Sequence, residues 1–166
     1  SSLVLSSIVI MIVLYIFGEE ILLLFGASAN TLSYAKDYLN IYLLGTIFVQ
    51  LSVGMNYFIN CQGYAKFGML TLVIGGALNI ILDPIFIFTL NMGVAGAALA
   101  TIISQFVSFL WVMHFIFSKR STIKIKKEYL FFDKIIMKRV LGLGISPFFM
   151  NSTEGILQVC FNRQLL

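Results

Sequence analysis

An asparagine, an aspartate and a proline sit close together in an otherwise apolar run, Asn79-Ile80-Ile81-Leu82-Asp83-Pro84. Asn79 and Asp83 are four residues apart, the spacing that puts two side chains on one face of a helix. Pro84 has no N–H, so the Ile80 carbonyl loses its helical donor and a helix bend is expected there. One turn therefore gathers a carboxylate, an amide oxygen and a free backbone carbonyl. Hard cations take oxygen ligands of these kinds, and a carboxylate alone can carry a proton. The other reading of Asp83 is a hydrogen bond across a helix interface, or a cap near the outer surface. An ionised Asp at mid-bilayer costs ~2.5–3.5 kcal/mol on insertion scales, so such a residue is a functional candidate by default.

Further polar groups lie in the apolar runs that follow. Gly93, Gly96, Ala97, Ala100 and Ser104 share one helical face of small residues, which permits close helix packing. Thr101 lies beside that face; taken alone, its hydroxyl is expected to bond its own backbone. Glu154 follows Pro147 by seven residues and Asn151 by three. It either titrates during function or pairs with Arg163 or an absent helix. His114 is expected near the membrane interface, and Gly75-Gly76 marks a second point of close contact or flexing. Cys61 and Cys160 have no CxxC spacing and no His neighbours, so neither a metal site nor a disulfide framework is indicated. HExxH, GxSxG, paired intramembrane Asp and a phosphate-binding glycine loop are all missing from the sequence, which points away from an enzyme and from ATP-driven transport.

The elements that must position these groups follow from composition. The 166 residues are 60% hydrophobic and 11% charged, with mean hydropathy +0.99, where a soluble domain carries about 25% charged residues. Such a chain belongs in a bilayer. Runs of about 20 apolar residues place spans at about 3–25, 38–59, 68–90 and 93–117, with a fifth from 140 to 166. Glu19-Glu20 marks where the first span reaches the interface or turns acids into protein. Short connections force consecutive helices to be antiparallel neighbours. Eight of the eleven Lys and Arg residues lie between Lys119 and Arg139. Residues 118–139 therefore read as a cytoplasmic loop under the positive-inside rule, which accounts for the +4 net charge without nucleic acid. Membrane lipids are the expected partners of this basic stretch. Within it, Leu130, Phe131, Ile135 and Ile136 form either an interfacial helix face or part of a solvated connector. The first residues do not resemble a signal peptide, and both ends fall in apolar runs, so the chain reads as a piece of a longer product.

The run Gly75-Gly76-Ala77-Leu78-Asn79-Ile80-Ile81-Leu82-Asp83-Pro84-Ile85-Phe86-Ile87-Phe88, followed by Gly93-Val94-Ala95-Gly96-Ala97-Ala98-Leu99-Ala100-Thr101, closely resembles the MATE family of multidrug and toxic compound extrusion transporters. Tyr38-Leu39, Gln62-Gly63 and Gly144-Ile145-Ser146-Pro147-Phe148 extend the resemblance over essentially the whole chain. It implies an all-α, polytopic fold of twelve helices in two lobes. Residues 1–117 would be first-lobe helices three to six, 118–139 the inter-lobe linker, and 140–166 the truncated first helix of the second lobe. It also implies a bacterial inner-membrane antiporter that exchanges Na⁺ or H⁺ for organic cations and needs no cofactor. Asn79, Asp83 and Thr101 match three of the family's four first-lobe cation ligands; the fourth, an Asp of the first helix, would precede Ser1 on the missing helices. Glu154 looks similar to a helix-seven acid used by some members. Two rivals stand beside this reading: a flippase for lipid-linked oligosaccharides on a related fold, and a non-transporting membrane scaffold.

Overall fold

The computed structural model describes residues 2–28, 30–122 and 134–164, and all regular structure among them is helical. The helices are α1 (Ser2–Leu24), α2 (Leu32–Cys61), α3 (Ala65–Pro84), α4 (Gly93–Phe117) and α5 (Lys134–Gln164). A π-helical turn, Ile85–Thr89, continues α3 directly. Four segments are long and apolar enough to cross a membrane: Leu3–Leu24, Leu32–Cys61, Ala65–Thr89 and Gly93–Phe117. The fifth differs from expectation. α5 has the length, 31 residues, but Asn151, Ser152, Thr153, Glu154 and Gln158 dilute its apolar character, and it is not among the span-capable helices. Residues 123–133, most of the expected linker and with it Leu130 and Phe131, lie outside the described residues, as do the side chains of Ile135 and Ile136.

The burial pattern is that of helices packed in lipid. Large apolar side chains point outward, among them Ile80 at 73% exposed and Phe88 at 74%. Buried positions are often small or polar instead, including Ser52, Asn56, Thr71, Ser104 and Ser108. Without water to drive apolar groups together, close backbone approach and interhelical hydrogen bonds hold such helices. α4 lies centrally against α2 and α3, and α1 packs on α2. An apolar cluster of Ile59, Val112, Phe115 and Ile116 closes one end of this bundle, where Phe67 stacks on Trp111 with centroids 4.6 Å apart.

Two helices begin earlier than hydropathy predicts. α2 starts at Leu32 rather than at 38, so Lys36 and Asp37 ride in its first two turns, and α3 starts at Ala65 with Lys66 in its first turn. Charge near a helix end lowers hydropathy without interrupting the backbone ladder. Lys36 Nζ donates to Glu19 Oε2 at 2.7 Å, joining α1 to α2 at a half-exposed site. Glu19 and Glu20 therefore lie at the helix surface. Between the π-helical turn and α4, Asn91 takes φ 51° and Gly93 φ 54°; short polar and glycine residues tolerate this left-handed backbone.

Candidate polar cluster of helices α3 and α4

Asn79 and Asp83 meet on one face of α3 as their spacing requires. Asn79 Nδ2 donates to Asp83 Oδ1 at 3.0 Å and reaches Thr101 Oγ1 of α4 at 3.4 Å. The Thr101 hydroxyl donates to the Ala97 carbonyl at 2.9 Å, so its oxygen remains an acceptor toward Asn79. Thr101 bonds its own backbone, as expected of it taken alone, and its oxygen also meets the Asn79 amide. All three side chains are half-buried. The cluster presents a carboxylate and a hydroxyl oxygen, with the Asn79 amide nitrogen turned toward both; such oxygens suit a proton or a small hard cation. Among the described residues, no three His, Cys, Asp or Glu side chains gather as a metal site.

The backbone beside the cluster is irregular. Pro84 keeps helical angles, φ −59° and ψ −36°, so α3 does not break there. The ladder changes register instead: Ile85 N donates to Leu82 O, and Leu90 N donates to Ile85 O at 3.0 Å. Pro84 cannot supply the bond to Ile80, and the turn beyond it widens. Such π-helical turns are frequent at functional sites. The small face of α4 admits this wide turn. A Cβ added at Gly96 would stand 2.8 Å from the Phe86 carbonyl oxygen. Gly96, Ala100 and Ser104 are buried, whereas Gly93 is exposed and serves the turn.

Glu154 is not brought to this cluster. It lies exposed on α5, which does not pack extensively against α1 to α4; the side chain of Arg163, its suggested partner, lies outside the described residues. His114 is exposed near the end of α4, and Cys61 and Cys160 are free and exposed.

Sequence reasoning missed a second polar feature. A cavity of about 240 Å³ opens between α2, α3 and α4, lined in part by Ser52, Asn56, Asn60, Thr71, Gln105 and Ser108. Asn56 Nδ2 donates to the Gly68 carbonyl at 3.1 Å, and Ser108 Oγ to the Thr71 carbonyl at 3.2 Å. The Asn56 side chain is buried, and its Oδ1 has no hydrogen-bond partner among the described residues. A buried acceptor of this kind calls for water or a donor from a ligand. Among the described residues, none that lines it is charged. The signal was legible in retrospect: Ser52, Asn56 and Asn60 recur every four residues along one face of an apolar span.

Residues 2–85 match the MatE family model. The multidrug export protein MepA of Staphylococcus haemolyticus is 35% identical over 162 residues, covering 98% of this chain and 36% of that relative. The chain thus spans about a third of the length of the curated relatives it matches. Among solved structures, an inward-facing multidrug resistance MATE family transporter of the MOP superfamily superposes with TM-score 0.77 at 33% identity, covering 87% of this chain and 34% of that one. A MATE structure in the bent conformation gives TM-score 0.78 at 31% identity, covering 86% and 32% respectively. With the family model spanning α1 to α3 and both polar helices in place, the chain belongs to the MatE family.

Proposed function

We propose that the protein containing this chain is a secondary antiporter, not an enzyme, that exports organic cations or drugs in exchange for Na⁺ or H⁺. The observation that carries this reading is the contact of Asn79 with both Asp83 and Thr101, which spans two membrane helices. Loading the site with a cation or proton neutralises Asp83. The Asn79 amide is then free to change partners, and α3 can shift against α4 about the π-helical turn. Coupling requires that the coupling ion and the substrate favour different conformations, since a ligand shifts an equilibrium only by its differential affinity. The neutral cavity beside Asn56 would offer hydrogen bonds to the uncharged part of a bound molecule. No cofactor enters this scheme.

The names of the relatives support multidrug export, and the family resemblance supports a two-lobe protein. In that arrangement residues 1–117 belong to the first lobe, 118–139 to a cytoplasmic linker and 140–166 to the second lobe. The protein then lies in the cell's inner membrane, and helices outside this chain supply the fourth cation ligand. A flippase would need a basic cavity for phosphates. Among the described span-capable helices, Lys36 and Lys66 are the lysine and arginine residues, both within the first two turns of their helices.

The test is ethidium efflux from cells expressing the whole protein, wild type against Asp83→Asn at equal membrane abundance. Efflux that the substitution abolishes supports the antiporter. Equal efflux by both removes Asp83 from the mechanism. Wild-type efflux driven equally well without a Na⁺ or a proton gradient would refute ion coupling.

A further inference from the structure

The chain leaves α4 through a tight turn. Ser118 adopts an extended conformation after Phe117, with ψ 160°. Its hydroxyl donates to the Phe115 carbonyl at 2.7 Å and accepts from Arg120 N at 3.3 Å. Ser121 N donates to Ser118 O at 3.3 Å. This turn leaves Lys119 and Arg120 exposed and buries Ser121. Across from it, α2 ends at Cys61, and Gly63, at φ 84°, turns the backbone toward α3. A side chain at Gly63 would be strained in that region, so the corner that carries Gln62 is fixed by its neighbour.

Gln62 joins the two ends. Its Oε1 accepts from Thr122 N at 2.8 Å, Thr122 Oγ1 at 3.0 Å and Ser121 Oγ at 3.2 Å, while its Nε2 donates to the Phe58 carbonyl at 3.0 Å. Chemistry fixes the orientation of this amide from both sides. Flipping it would set a donor against the Thr122 N–H and an acceptor against the Phe58 carbonyl.

We propose that Gln62 is a positioning residue that clamps residues 121–122 onto the α2–α3 corner, so that the basic connector departs from the end of α2 rather than from α4. The Phe58 bond holds the amide to the last turn of α2, and Ser118 holds the turn to α4. A displacement of residues 121–122 therefore acts on α2 and α4 together. The polar cluster depends on how α4 sits against α3, and the cavity on how α2 and α4 sit against it. This clamp is independent of the transport reading, and its test uses neither substrate nor gradient.

The experiment is residue-resolved hydrogen exchange on the whole protein in lipid nanodiscs, comparing wild type, Gln62→Met and Gln62→Glu. Methionine keeps the approximate shape and removes both hydrogen-bonding atoms. Glutamate gives up the Phe58 contact but keeps acceptor oxygens for Thr122, strengthened by charge. The Thr122 amide is expected to exchange about 3–10-fold faster in Gln62→Met, the factor a single net hydrogen bond commands. In Gln62→Glu it is expected within about twofold of wild type, on the same scale. Unchanged amides at Met55 to Ile59 would show that α2 remains folded. An unchanged Thr122 rate in Gln62→Met, or an equal rise in both variants, would overturn the clamp.

Discussion

The close approach of α4 to the π-helical turn makes one methyl group decisive. In Gly96→Ala the added Cβ would lie 2.8 Å from the Phe86 carbonyl oxygen, 2.9 Å from its carbon and 3.0 Å from Met92 Cβ. Two of these atoms are backbone, so no rotamer change relieves the contact and α4 must move away. Forcing a methyl into a packed interface costs ~1–3 kcal/mol, against a gain of ~1 kcal/mol from replacing glycine in a helix. Gly76 provides the matched control, since a Cβ there meets nothing within 4 Å, and Gly76→Ala keeps the propensity gain alone. The two variants should therefore differ by ~1–3 kcal/mol, with Gly96→Ala the less stable. Thermal melting of the whole protein in one detergent measures this: Gly96→Ala should melt below wild type and Gly76→Ala at or above it. Backing α4 away also lengthens the 3.4 Å contact from Asn79 to Thr101, so ethidium efflux should fall in Gly96→Ala. Equal melting of the two alanine variants would refute the argument that this interface is held by backbone contact.

Two further substitutions separate the roles of the polar groups. Thr101→Val removes the acceptor that faces Asn79, while Thr101→Ser retains a hydroxyl. Efflux should drop about fivefold or more in the first, a loss of ~1 kcal/mol, and stay near wild type in the second, measured as initial ethidium rates. Asn56→Leu removes the unpartnered acceptor of the cavity without touching Asp83. It should raise the ethidium concentration needed for half-maximal efflux while leaving the dependence on the ion gradient unchanged.

Much of the architecture was written in local spacing. Hydropathy located four spans, because a bilayer demands long apolar runs whatever the helix packs against. The four-residue step from Asn79 to Asp83 put both on one helix face, where they meet, because helical geometry is a property of the backbone alone. Pro84 marked the irregular turn for the same reason. What local spacing could not decide was the form of that irregularity. A missing donor permits a kink, a break or a widened turn, and the choice made here goes with α4 offering Gly96 to the Phe86 carbonyl.

Other features depended wholly on tertiary contact. The reach of Asn79 to Thr101 spans 22 residues of sequence, and that of Gln62 to Thr122 spans 60. Neither distance is encoded by any helical period. The Asn56 cavity exists because three helices leave a gap that their small polar side chains do not fill. The residue types that can take part were set by the sequence, through hydropathy, helical periodicity and the chemistry of each side chain. Which of them meet was decided by packing, because the approach of two helices is governed by the small residues of both at once.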